Sequence, residues 1–391
     1  MSSKMRLKRS ALIPICILIL GLSLIAIGMV SAETAPSGQK IVVLKLGSQK
    51  AAVDDQPMDL DAAPVIINGR TMVPIRFIAE ALDVQVRWNA DTQTVVVGPK
   101  GADLSDVTFP AAVSGVADDE YVANAADFVA AADWKQMETA RVDLSEMAFT
   151  PKNLTFEAGK PYKLEIHNIG AVKHEFTAGQ FYRSIALRKV QDDQGEFKLP
   201  YATEIEVFAG ERTDLYFVPL IPGTYELVCE IPGHKEAGMF GTITVTGAAP
   251  SSPRIELGKV STVTNVVDAE ARVQAADWKS LQTVDIEVGE MYFKPQDVPL
   301  KVGVPYKLQL INKGTVKHEA DAAEFFRTAA VRKAQDIMSE VKGPTFNEIE
   351  VFEGEQVDLY LIPTQAGTYE LACRIPGHYE AGMHGTIVVE P

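Results

Sequence analysis

The feature that most limits the fold is an internal repeat. His174, Cys229, His234 and Met239 recur as His318, Cys373, His378 and Met383, each 144 residues after its counterpart. Trp134 and Trp278 keep the same offset inside the related stretches YVANAADFVAAADWKQM and VVDAEARVQAADWKSL. A chain written twice at this period buries two copies of one core, so its 391 residues divide into small domains rather than one large one. The short arm of the cluster reads CEIPGHKEAGM and then CRIPGHYEAGM, and in both copies the first His lies 55 residues ahead of the Cys.

One soft thiolate, two imidazoles and a thioether are the ligand set of a blue-copper electron-transfer centre. A remote His and a tight C-x4-H-x4-M loop let a rigid scaffold hold the metal between its copper(I) and copper(II) geometries. Four protein ligands also close the shell, whereas catalytic metal sites keep a position open. Apart from Cys16, the only cysteines are Cys229 and Cys373, one per repeat. A bridge between them, or two plain buried thiols, would leave the His and Met that follow each one unexplained. A metal also explains why an exported thiol stays unpaired.

The first residues read as an export signal. Lys4, Arg6, Lys8 and Arg9 precede the apolar run from Ala11 to Val30, and Val30-Ser31-Ala32 offers small residues for cleavage, so residues 1–32 are the expected signal peptide. The apolar run is also long enough to span a bilayer uncleaved, which would anchor the chain instead. Losing the four basic residues takes the formal charge from −15 to −19, which argues against binding nucleic acid or anionic lipid by bulk charge.

Residues 40–98 form a small α+β unit. The strand IVVLKLG is followed by a turn at Asn68-Gly69, a helix opened by Pro74 with Phe77, Ile78 and Leu82 on one face, and a closing hairpin of VQVRW and TQTVVV. The string NGRTMVPIRFIAEAL resembles the stalk-like N-terminal domain of copper amine oxidases, a module also found on bacterial cell-surface proteins. With Met58 and Met72 as its only soft groups, the segment is expected to be structural or to associate with the cell surface, not to bind copper.

Residues 99–139 and 248–283 read as partly helical linkers. Residues 140–247 and 284–390 each give short alternating strands broken by Gly and Pro: MAFTPKNLTFEAG, PYKLEIHN, TEIEVFAG, RTDLYFVP, GTYELVC and GTITVTG in the first copy. This pattern predicts a mainly β chain with two antiparallel Greek-key β-sandwiches. Within each lies an insertion, QFYRSIALRKVQDD or EFFRTAAVRKAQDI, where Phe181, Ile185 and Val190 have helical spacing. Its basic residues Arg183, Arg188, Lys189, Arg327, Arg332 and Lys333 are expected to form a solvated face.

Each repeat resembles a cupredoxin, the superfamily of plastocyanin, azurin and auracyanin, and the C-x4-H-x4-M loop is most similar to the auracyanin and rusticyanin branch. F-x-P-x-x-L, N-x-G before VKHEF, G-T-Y-E-L-x-C and the closing G-T-I strand carry the likeness. It implies two type 1 copper ions per chain, one held by His174, Cys229, His234 and Met239 and one by His318, Cys373, His378 and Met383. Cupredoxins often place Asn or Asp after the first His to tie it to the Cys loop. Glu175 and Glu319 stand there instead, and their longer, charged side chains are expected to solvate the site and alter its potential.

The expected function is an exported electron-transfer protein with redox protein partners, secreted or at the cell surface. The alternative is an extracytoplasmic copper-binding or copper-buffering protein without redox cycling. No enzyme is expected. A copper nitrite reductase would need three further histidines for its catalytic copper, and outside the ligand sets only His167 and His384 remain. The small residues around the loop histidines, Pro232, Gly233, Ala237 and Gly238 and their counterparts, leave room for a partner to approach.

Overall fold

The computed structural model describes residues 40–67, 70–89, 94–101 and 115–391. The expected signal peptide, the Asn68-Gly69 turn and residues 90–93 of the closing hairpin lie outside them. The chain divides into two compact units, Met1–Val107 and Thr108–Pro391. No helix among the described residues is long and apolar enough to cross a membrane.

In the first unit, strands Val65–Ile67 and Arg70–Met72 pair, and Val84–Asn89 pairs with Thr94–Pro99. The helix Ile75–Ala81 follows Pro74 and buries Phe77, Ala79 and Ala81. Leu82 is not on that face: it caps the helix and is 49% exposed. A hairpin not anticipated from the sequence, Lys50–Val53 with Gln56–Asp59, turns through Asp54 and Asp55, both at positive φ. Aspartates tolerate that left-handed conformation in tight turns. Phe77 packs with Ala51 and Leu60 in a small core.

In the second unit, alternation along each strand sorts side chains by face, and Tyr162–Asn168 is buried at every second residue. In the first repeat the order Ala148–Thr150, Glu138–Ser145, Tyr162–Asn168, Arg212–Pro219, Ile185–Gln191, Gly195–Lys198 makes one sheet. Asn153–Glu157, Phe240–Thr246 and Gly223–Val228 make the facing layer, which a bridge between Thr177 and Val228 joins to His174–Phe176 and Glu204–Val207. Most pairs are antiparallel. Glu138–Ser145 beside Tyr162–Asn168 and Asn153–Glu157 beside Phe240–Thr246 are parallel. The second repeat copies these pairings.

The insertion is not a helix along its length. Gly179–Arg183 forms one short helix, and Ile185–Gln191 is then a strand inside the sheet. A bulge between Leu187 and Lys189 shifts the residues that face the sandwich core from alternate positions to Ile185, Leu187 and Val190, while Ala186 is buried under the docked helix Ala125–Ala131. That irregularity produced the helix-like spacing.

The two sandwiches are not independent bodies on a long connector. Gly195–Lys198 pairs antiparallel with Glu348–Val351 of the second repeat, and Glu204–Val207 pairs with Ser339–Lys342. Because Gly195 and Ser339, and Val207 and Val351, are 144 apart, these two ladders are the same contact related by a pseudo-twofold. Each sheet of one repeat runs on into a sheet of the other. Phe197 and Phe346 meet across the joint with ring centroids 6.2 Å apart, inside one continuous core. The backbones come so close that a Cβ on Gly195 would lie 2.4 Å from the Glu350 carbonyl oxygen.

The linkers are docked as well. Helix Ala125–Ala131 puts Phe128 against Ala186, Val218 and Leu220, and Ala269–Ala275 takes the matching place beside Ala330 and Ile362. Trp134 Nε1 donates to the Val129 carbonyl at 2.9 Å, and Trp278 Nε1 to that of Val273 at 2.8 Å.

Candidate metal centres

The site at the end of each sandwich is built by a strand and a loop. His174 opens the strand His174–Phe176 and pairs with Val207, so its ring is fixed by the sheet and fully buried. Cys229 follows the strand Gly223–Val228. The loop then folds on itself: His234 N donates to the Ile231 carbonyl at 3.0 Å, Met239 N to that of His234 at 3.0 Å, and Cys229 N to that of Met239 at 3.1 Å. Gly233 and Gly238 have φ of +90° and +112°, conformations that a side chain would strain, and they let three chemically useful residues share so short a loop.

The result brings a thiol and two imidazoles together. Their ligand atoms lie within 4.8 Å of one another in both copies. Cys229 Sγ stands 3.3 Å from His234 Nδ1, and Cys373 Sγ is 3.3 Å from His378 Nδ1. The His174 and His234 rings are 5.1 Å apart, as are those of His318 and His378. Met239 and Met383 are fully buried at the end of the same loops. Both cysteines are free and buried, so no bridge joins Cys229 to Cys373. Both ring nitrogens of His174 and of His318 are buried with no hydrogen-bond partner. Buried polar atoms are normally satisfied, and a metal would satisfy one nitrogen of each ring.

Burial, ahead of the neighbouring imidazole, pulls the His174 and His318 pKa values down. The same desolvation pushes the Cys229 and Cys373 thiols up. The metal-free site thus favours the neutral forms of His174 and His318 and the protonated thiols, and a bound metal would displace the thiol proton.

Three comparisons bear on this arrangement. Residues 25–97 match the copper amine oxidase N-terminal domain, residues 122–245 the cupredoxin-like domain, and residues 281–390 the copper binding proteins of the plastocyanin/azurin family. Both repeats are cupredoxin domains. Copper is accordingly the metal that these cupredoxins bind. The copper-resistant cuproprotein CopI of Pseudomonas aeruginosa is 27% identical, over 28% of this chain and 77% of its own. CopI of Rubrivivax gelatinosus is 29% identical, over 28% of this chain and 68% of its own. Among solved structures, auracyanin B is 20% identical with a TM-score of 0.21, covering 28% of this chain and 89% of its own.

The glutamate after each first His does not open the cupredoxin site to water. Glu175 is 8% exposed and its Oε2 accepts from the backbone N of Glu230, next to Cys229, at 3.0 Å; Glu319 does the same for Arg374 N at 3.0 Å. Each glutamate therefore ties the His strand to the Cys loop, the role expected of an Asn or Asp. Its own amide points at the sulfur, with Glu175 N and Glu319 N each 3.4 Å from the Sγ of Cys229 and Cys373. The sequence concealed this because the side-chain length suggested exposure. Behind His174, Asn168 braces the loop by donating to the Val172 and Val207 carbonyls at 2.7 and 2.9 Å.

The remaining candidates lie elsewhere. His167 is on the strand Tyr162–Asn168, 3.8 Å from Glu165. His384 is exposed and lies against Tyr379, ring centroids 5.1 Å apart. Of the basic residues of the insertion, Arg327 is exposed, whereas Arg188, Lys189, Arg332 and Lys333 are half-buried and engaged within the fold. Arg188 and Arg332 stack on Trp134 and Trp278 at 4.5 and 4.8 Å, and Lys189 pairs with Glu196 at 2.6 Å. His234 and His378 are half-buried beside exposed Pro232, Ala237, Pro376 and Ala381.

Proposed function

We propose that each cupredoxin domain holds one type 1 copper, through His174, Cys229, His234 and Met239 in the first and His318, Cys373, His378 and Met383 in the second. The protein would carry electrons outside the cytoplasm. The observation that carries this reading is the buried, unbridged thiol set against two imidazoles, with an unpartnered ring nitrogen of the strand-borne His free to take a metal. A bound copper would supply the redox couple. The chain's part is to fix the donors on sheet and loop, exclude water, and direct the Glu175 and Glu319 amides at sulfur. The half-buried loop histidines, beside exposed Pro232, Ala237, Pro376 and Ala381, are where a redox protein would approach, with Lys235, Glu236 and Glu380 exposed in the same loops. We take the protein to be non-enzymatic: its ligand sets close the shell, and His167 and His384 sit on other elements.

The names of the relatives support a second reading, an extracytoplasmic copper-buffering protein without redox cycling. Reductive titration of the copper(II)-loaded protein separates the two. Reversible bleaching at constant copper content supports the carrier; loss of copper on reduction supports buffering.

A further inference from the structure

The joint between the repeats reaches both copper centres. Glu175, Glu204 and Glu206 bring carboxylate oxygens within 4.8 Å of one another, and so do Glu319, Glu348 and Glu350. In each trio two glutamates have a lysine close by. Lys173 bonds Glu206 at 2.7 Å and Lys317 bonds Glu350 at 2.9 Å, each within its own repeat. The other two bonds cross the joint: Lys342 of the second repeat meets Glu204 at 2.5 Å, and Lys198 of the first meets Glu348 at 2.5 Å.

The third glutamate is the one that holds the Cys loop. Lys198 Nζ stands 4.0 Å from Glu319 Oε1. Lys342, 144 residues after Lys198, reaches the Glu175 trio through its bond to Glu204. Three carboxylates and a single lysine from the same repeat would leave uncompensated buried negative charge, which is costly. The lysine that relieves it comes from the other repeat in both cases.

We propose that Lys342 is a positioning residue for the first repeat's copper centre and Lys198 for the second's, each acting across the joint through the glutamate that ties the Cys loop. This rests on the copper reading above. It makes each centre incomplete without the other repeat, and gives a physical reason for two cupredoxins to share strands.

The test uses full-length chains loaded at one site only, with the other site's Cys replaced by Ser. Removing a nearby positive charge favours the more positive, oxidised copper. Lys342→Met is therefore expected to lower the potential of the first repeat's site and leave the second's in place, and Lys198→Met to do the reverse. Lys342→Arg and Lys198→Arg should restore the parent values. In the metal-free protein, Lys342→Met should speed amide exchange at Glu230 but not at Arg374, and Lys198→Met should do the opposite. Equal shifts at both sites, shifts confined to the lysine's own repeat, or no shift would overturn the proposal. Amide exchange that responds as expected in a protein that forms no blue copper would support the positioning and refute the copper reading.

Discussion

At the residue scale, the proposed ligand set would divide into groups that hold the metal and one that tunes it. The thiolate would supply the charge and the colour, so Cys229→Ser is expected to remove about half of the thiolate-to-copper absorption of the whole chain, as read from its visible spectrum. The thioether is a weak, long ligand. Met239→Leu should keep the colour and raise the potential of that site in a spectroelectrochemical titration; an empty site would contradict the role given to Met239. These residues were legible because they recur at one offset with chemistry that little else uses. Glu175 was not: the sequence shows a long charged side chain, and only the fold shows that strand and loop approach closely enough for its carboxylate to reach Glu230 N.

At the element scale, period-two patterning found Tyr162–Asn168, Arg212–Pro219 and Phe240–Thr246 because each has one face in the core and no interruption. It failed at Ile185–Gln191, where the bulge puts Val190 out of phase with Ile185 and Leu187. It also could not find the joint. Gly195–Lys198 and Ser339–Lys342 are four residues each, and nothing local in GEFK or SEVK says that the partner strand belongs to the other repeat. The sequence did carry one trace of the contact, a glycine where the other repeat's carbonyl leaves no room for a Cβ. Gly195→Ala is expected to destabilise the second unit by about 1–3 kcal/mol through overpacking, measured by denaturant unfolding. No change in midpoint would mean that the joint yields.

At the scale of the whole molecule, the two repeats behave as a covalently linked pseudo-symmetric dimer. Near its joint lie two buried carboxyls, Asp192 and Asp336, 5% and 7% exposed. Ser339 Oγ donates to Asp192 at 2.7 Å, and the amides of Gln194, Gly195, Met338 and Ser339 donate to the pair. Burial, then the Asp192 charge, raises the Asp336 pKa to about 8, and burial raises that of Asp192 as well. Asp193, next to Asp192, pairs with Arg212 at 3.1 Å. A carboxyl with a raised native pKa binds a proton that the unfolded chain has released. Its contribution is complete below about pH 4 and is lost as pH rises through about 8. Stability should therefore fall across that window, and Asp336→Asn should flatten the dependence in thermal unfolding followed by pH. A variant with the parent's full slope would place the proton elsewhere.

If one chain holds two complete copper centres, copper content and visible absorption measured on the same metal-loaded sample of native protein should give two coppers per chain, both contributing thiolate-to-copper absorption and both bleached by reductant. One copper per chain, or two without that absorption, would contradict the two-centre reading.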